Sequence, residues 1–507
     1  MFSFSYAKIK SRDYCGRGIE LNILDLLDKP ERTQVRIVQS LLDHGGSISI
    51  KDLGGQIKIS PASLNKYLVE VSETLKAINE EIDLTIENKK IKLNIPYYFN
   101  LQHILIYYLN NSINCQILSY MIKSDGVSIP NISQNLAISE ATVFRRIKEI
   151  NLAIEEFGIQ IKNAQFTGEE LQIRYFIFEY YNHTLPIDVI NYHQLDSSIM
   201  LLIENLAEEL NLPIEDKNLY HLYLWLMISK KREALGLTLE IGEQEIYKQL
   251  IGEKISKAVV KTNESLYGTV SAIQTETDLI SLYIFFISTY IYEKPLVEDQ
   301  YMYFFKNTFF KDIINLSENT LDTIGQHFDM KHLSRELLWY IECNLFQLHF
   351  RMMHFNSYMN YFESDYIISK RTDDSISTIV NHVIHEHRDL FSLNLSPAVY
   401  NHLFSNYRFI LQIIESECIK TIRIGLAIQV NYLAQQDIMK KLETIFSKQY
   451  NVAFELAQAD KTYDLLVTDI FLTDSQFKYK EIYVINEILN LYDENSIKEI
   501  IESLIKN

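Results

Sequence analysis

The fold class that the sequence predicts is a mainly α, multidomain chain closing in a small α/β unit, and three observations carry it. Only 15 glycines and 8 prolines punctuate 507 residues, with 47% hydrophobic and 22% charged side chains. That composition suits helices with one buried face and excludes a disordered or fibrous chain. A stretch of the first third recurs 79 residues further on without a gap. Near the C-terminus, short β-rich runs alternate with helical ones. The length suggests about three to five domains.

The repeat sets the first elements. One copy reads SISIKDLGGQIKISPASLNKYLVEVSETL from Ser47, the other GVSIPNISQNLAISEATVFRRIKEINLAI from Gly126. Ser49 aligns with Ser128, Leu53 with Ile132, Ser60 with Ser139, Leu64 with Val143 and Lys66 with Arg145. In the first copy an amphipathic helix over 32–43 stops at Gly45-Gly46, and a short helix follows over 50–57. After a tight turn at Lys58-Ile59, Ser60 is an N-cap and Pro61 the first helical residue. Leu64, Leu68, Val71 and Leu75 then mark the buried stripe, repeated as Val143, Ile147, Ile150 and Ile154. Alternating residues over 84–93 and 159–173 predict a two-stranded wing after each unit.

Helix, short helix, turn, helix and hairpin together spell a winged helix-turn-helix, twice. The outward faces of the third helices are expected to carry Ser63, Lys66 and Tyr67, then Thr142, Arg145 and Arg146. Ser60 and Ser139 stand at their N-termini, Lys148 lies further along, and Lys89, Lys90 and Lys92 charge the first wing. Cations near such a helix start reach phosphates or guanine edges, so double-stranded DNA is the partner this pattern points to. Solvated faces of small helical domains are the plainer alternative. Two copies with cations in equivalent places weigh against it.

With these residues the sequence resembles the Mga/AtxA group of Gram-positive transcriptional regulators. The resemblance implies two N-terminal helix-turn-helix domains, two helical phosphotransferase-system (PTS) regulatory domains and a C-terminal domain like a sugar-phosphotransferase IIB component. The boundaries expected are 1–95, 96–180, 181–297, 298–417 and 418–507. It also implies a global or virulence-gene regulator that assembles as a homodimer or higher oligomer on promoter DNA. PTS phosphocarrier proteins are further partners it suggests.

In the helical middle, NLYHLYLWLMISKKREALG places His221 at the family's histidine position, whereas DLISLYIFFI offers Phe285 where a second histidine is expected. The second module sets Gln347 opposite His221 and supplies His349 and His354, with His402 later. His221, His349 and His402 are thus the phosphorylation candidates; half-buried structural histidines are the competing reading. VNHVIHEHRD gathers His382, His385, Glu386 and His387, yet no two histidines stand at i and i+4, so no metal is expected. In the last segment, strands near 421–429 and in VAFEL, DLLVTD and EIYVIN flank a helix over 433–446, and a closing helix covers 496–505. An active IIB component carries Cys or His after its first strand. Here that segment reads QVNYLAQQD, so a scaffold for association is expected rather than a phosphoryl carrier.

Four dispersed cysteines (Cys15, Cys115, Cys343, Cys418) argue for reduced thiols in a cytoplasmic protein. The apolar run 279–292 is too short to span a bilayer and predicts a buried helix. No nucleotide-binding loop, HExxH or nucleophile elbow is present, so neither enzymatic activity nor a cofactor is expected. A sugar-phosphotransferase component or phosphorelay protein is the alternative. The net charge of −18 divides unevenly. Residues 1–180 hold 20 Lys+Arg against 21 Asp+Glu, the rest 28 against 45, so the acid excess lies away from the repeat.

Overall fold

The computed structural model describes residues 23–124, 127–185, 195–210, 216–239, 257–258, 261–262, 272–289, 310–359, 375–387, 397–418, 421–470, 476–485 and 490–506. Cys15, Tyr292 at the end of the apolar run, and Tyr301 at the expected start of the second helical module lie outside them. The described chain is mostly helical with a small parallel sheet near its C-terminus. It forms two compact units, one of Met1–Ile324 with Glu336–Phe409, the other of Gly325–Arg335 with Ile410–Asn507.

The first repeat copy builds α1 (Lys29–Asp43), β1 (Ser47–Ser49), α2 (Ile50–Ile57), α3 (Pro61–Ile78), β2 (Asp83–Glu87) and β3 (Lys90–Asn94). Helix α1 starts three residues earlier than the periodicity suggests, because Asp28 caps it and Glu31 closes a capping box at 3.0 Å from the Asp28 amide. Gly46, at φ +80°, brings its carbonyl to the Leu93 amide (2.8 Å), and a side chain there would strike Leu93 O. That contact lets β1 join the wing in the order β1-β3-β2.

Helix α4 (Leu101–Asn111) leads to the second copy, α5 (Ile113–Lys123), α6 (Ile129–Leu136), α7 (Glu140–Ile154) and the hairpin β4 (Gln160–Lys162) with β5 (Gln165–Thr167). The turns between the second and third helices match closely: Lys58 (φ 58°, ψ 46°) and Ala137 (φ 52°, ψ 40°) are both left-handed. Leu64, Leu68, Val71 and Leu75 of α3 are buried, as are Val143, Ile147, Ile150 and Ile154 of α7. Each such side chain contributes about 1.5–3 kcal/mol.

The second wing is shorter than the expected 159–173. Gly168 (φ +140°) ends the hairpin, and α8 (Glu170–Thr184) begins at once. Twelve of its fifteen residues are buried. Toward α5, Tyr180 donates to Cys115 O at 2.9 Å. Toward α10 (Asp216–Ala234, after α9, Ser197–Leu210), Arg174 reaches Glu233 at 3.0 Å, and Arg232 returns to Glu170 at 2.6 Å. Buried charges of this kind persist only when paired. One contiguous hydrophobic core runs through both repeat copies and the adjoining helices, from Ile23 to Met359.

Further helices among the described residues are α11 (Ala272–Ser288), α12 (Lys311–Gly325), α13 (Arg335–His354), α14 (Ser375–Glu386) and α15 (Pro397–Cys418). Residues 280–288 of α11 are buried, as the apolar run predicts. Among the described residues no helix is long and apolar enough to cross a membrane. The C-terminal sheet, β6 (Ile422–Ala427), β7 (Val452–Leu456), β8 (Thr462–Thr468) and β9 (Lys478–Val484), is parallel in the order β7-β6-β8-β9. Helix α16 (Tyr432–Phe446) makes the first crossover, and α17 (Leu491–Lys506) closes the chain and starts five residues before the expected helix.

Candidate nucleic-acid interface

Helices α3 and α7 start on the same device. Ser60 Oγ accepts the Ser63 amide at 3.2 Å and shares a hydrogen bond with Ser63 Oγ at 3.0 Å. Ser139 does the same with Thr142, at 3.1 and 2.9 Å. These hydroxyls hold the helix starts, each cap contributing about 1 kcal/mol. Ser60, Ser63 and Ser139 are exposed and Thr142 is half-buried.

One turn in, Lys66 and Arg145 stand at equivalent places with side chains 76% and 65% exposed. Each leans on a carboxylate four residues on, Glu70 at 3.7 Å and Glu149 at 4.0 Å. Exposed pairs of this sort contribute only about 0.3–0.5 kcal/mol, so a phosphate displaces the carboxylate at little cost. Lys148 is exposed on the same side of α7.

The next equivalent position corrects the sequence reading twice. Tyr67 is half-buried and packs on the core rather than facing outward. Arg146 is buried too, its side chain only 10% exposed. It grips both carboxylate oxygens of Asp28, with Nη2–Oδ2 at 2.8 Å, and Glu149 at 3.0 Å. The hydrogen bonds from Arg146 hold the Asp28 carboxyl below its ordinary pKa, against the opposing effect of partial burial. Arg146 therefore fastens the third helix of one copy to the first helix of the other. Periodicity places positions 67 and 146 beside the outward stripe, but each copy folds them against its neighbours.

At the wing tips the backbones again agree: Asn88 and Lys89 have positive φ in the first, Asn163 and Ala164 in the second, the geometry that favours two-residue hairpins. Lys89 and Lys90 are exposed; Lys92 pairs with Glu87 at 3.3 Å. The second wing carries the single exposed cation Lys162.

Two outward residues escaped the sequence reading, Asn65 and Phe144. They hold equivalent places beside Lys66 and Arg145 and are exposed, Phe144 by 59%. Following the helical period outward from the buried stripe exposes them: 61, 65 and 69 on α3, and 140, 144 and 148 on α7.

Residues 97–181, which include α4–α7, the second wing and most of α8, match the family model of the Mga helix-turn-helix domain. The chain is also similar to a Streptococcus pneumoniae serotype 4 protein described as a "Putative trans-acting regulator", with 19% identity over 329 residues covering 62% of this chain. The chain spans 64% of the length of that curated relative.

The three candidate histidines occupy different surroundings. His221 on α10 is half-buried, its Nε2 2.8 Å from Asn182 Oδ1 on α8 and its ring edge-on to Phe178. Phe285, where the resemblance expects a histidine, stacks on Trp225 at 4.4 Å inside the core. His349 is a correction. It is buried with Nδ1 2.8 Å from Ser317 Oγ and Nε2 2.7 Å from Tyr407 OH, so both nitrogens are engaged away from solvent. Burial pushes its pKa down to about 3. His402 is half-buried. Its ring stacks on Tyr358 at 3.9 Å and its Nε2 is buried without a hydrogen-bond partner. Burial, with the nearby Arg351 charge, holds it neutral. Both nitrogens of His349 and the Nε2 of His402 are thus closed to a donor protein. His382 lies 3.7 Å from Glu386, and buried His387 3.0 Å from Thr323 Oγ1. Among the described residues no group of three or more His, Cys, Asp or Glu could hold a metal.

In the second compact unit, side-chain oxygens hold the backbone of the loop after β6 and the start of α16. The Gln429 amide donates to Asp469 Oδ2 at 2.9 Å, and Asn431 caps α16 through the Ala434 amide at 3.0 Å. A cavity of about 410 Å³ opens there, lined by Gln429, Gln435, Thr468, Gln476 and apolar neighbours.

Proposed function

We propose that this chain is a DNA-binding transcriptional regulator whose tandem winged helix-turn-helix domains hold double-stranded promoter DNA. The observation that carries the reading is the equivalence of Lys66 and Arg145. Two helices with the same cap and the same left-handed turn, each followed by a wing with the same tip geometry, present a cation at the same place. The Mga match over the second copy supports it. So does the near-neutral balance of residues 1–180 beside a strongly acidic remainder, which repels DNA from the rest of the surface. Binding of the full chain to promoter fragments is expected to weaken steeply with salt, since each neutralised phosphate adds about −0.9 to the logarithmic slope. A flat salt titration would sink the proposal.

The finer parts of the proposal follow from the same resemblance. The helical middle acts as two PTS-regulatory-like modules, His221 is the phosphoacceptor of choice, and the chain works as a homodimer or higher oligomer under global or virulence-gene control. The C-terminal α/β unit serves as an IIB-like scaffold without enzymatic turnover. The Gln429–Asp469 hydrogen bond supports this, because a carboxylate occupies a backbone N–H that a phosphoryl group would need. Incubation with PTS phosphocarrier proteins and labelled phosphoenolpyruvate tests it. Label is expected on wild type and absent from His221→Ala, while onward transfer to sugar would favour the phosphorelay alternative.

A further inference from the structure

We propose that the two recognition helices read different bases, so that the stretch of DNA under one chain has two unlike parts. One part has an adenine facing Asn65 and the other a thymine methyl facing Phe144. The proposal rests on the DNA-binding reading above and adds what each helix recognises.

The repeat makes the comparison clean. With the offset of 79 residues, the outward faces of α3 and α7 separate into two adjacent stripes. One stripe is chemically the same in both copies: Ala62, Lys66 and Glu70 against Ala141, Arg145 and Glu149. Its cations keep matching partners at 3.7 and 4.0 Å, so the backbone-seeking part of the surface is duplicated. The other stripe diverges completely: Pro61, Asn65 and Val69 against Glu140, Phe144 and Lys148. These positions are exposed in both copies, so packing does not dictate their identity. Shared phosphate contacts fix register and orientation, while the neighbouring stripe carries the sequence information.

The chemistry at the central position follows from the groove. An amide such as Asn65 offers a donor and an acceptor that match adenine N6 and N7 in the major groove. A phenyl ring has no hydrogen bond to give, and the apolar feature of a major groove is the thymine C5-methyl. The equal caps and equal left-handed turns at Lys58 and Ala137 launch the two helices alike, so Asn65 and Phe144 meet their bases from equivalent positions. A single chain therefore supplies two unlike readers, and the DNA it covers carries two unlike elements, which a symmetric pair of chains would meet in inverted order.

The test uses the whole 507-residue chain. Sites selected from a random duplex pool are expected to contain two unequal elements. On the best duplex, replacing the critical thymine by deoxyuridine removes only its methyl group. Wild type is expected to lose about fourfold in affinity, the equivalent of one buried methyl, and Phe144→Ala is expected to bind both duplexes equally. Asn65→Ala is expected to flatten a preference of about tenfold for adenine at one position of the other element. Two like elements within the footprint of one chain overturn the proposal. So does a deoxyuridine penalty that persists in Phe144→Ala, or an unchanged adenine preference in Asn65→Ala. Failure of wild type to bind any duplex would instead overturn the DNA-binding reading beneath it. Circular dichroism melts confirm that both variants fold, as their exposure predicts.

Discussion

Arg146 and Asp28, 118 residues apart, form a two-pronged ion pair that ties the third helix of one repeat copy to the N-terminus of the first helix of the other. The pair combines a hydrogen-bonded guanidinium with a helix cap, so its loss removes two things together. Arg146→Ala is expected to lower stability by about 1–2 kcal/mol, less than a fully buried pair because Asp28 is half open to water. Chemical denaturation measures the loss. The same variant should leave the salt slope of DNA binding unchanged, since Arg146 faces away from the outward stripe. Because the pair depresses the Asp28 pKa, its contribution is complete above the ordinary carboxylate range and is lost as pH falls through the lower folded value.

Lys66→Ala and Arg145→Ala should behave in the opposite way. Both side chains are mostly exposed, so melting temperatures should barely move. Each substitution should weaken binding to promoter and unrelated DNA alike and reduce the salt slope by about one. Fluorescence anisotropy at several salt concentrations reads both quantities. An unchanged slope would remove that residue from the interface.

Ala137 occupies a left-handed turn that favours glycine. Ala137→Gly is expected to stabilise the chain by up to about 1 kcal/mol, relief of the conformational strain outweighing the extra freedom of glycine in the unfolded chain. Lys58→Gly should do the same in the other copy. Urea midpoints for the two variants check the prediction.

Buried His349 gives the helical body an acid sensitivity. Its folded pKa of about 3 lies below the ordinary value near 6.5, so the unfolded chain takes up a proton that the folded chain refuses. Stability should therefore be intact above about pH 6.5 and fall as pH drops toward 3, by up to about 1.4 kcal/mol per pH unit from this group. Melts between pH 7 and 4.5 on wild type and His349→Gln test it. The variant should be weaker at neutral pH and show a shallower decline.

The parts legible in the sequence are those set by residues close together along it. The caps at Ser60 and Ser139 and the stripes of α3 and α7 follow from local spacing, and so do the wing turns. Arg146 was misread because its orientation depends on Asp28, far away in sequence and adjacent only in the fold. The tail of the second wing was misread because a few alternating residues fit the beginning of a buried helix equally well, and Glu170–Ile173 became one. His349 and His402 look like any polar residue on an amphipathic helix. What engages them is Tyr407 and Tyr358, which arrive from other segments.

Helix α8 has a practical meaning for anyone wishing to transplant the reading surface. A fragment cut at residue 180 would carry the second copy away with Tyr175, Phe176, Ile177 and Phe178 stripped of their neighbours, and would aggregate rather than serve as a portable clamp. The smallest exchangeable piece for a chimera is thus not a winged module, but the two modules together with the helices that wrap α8.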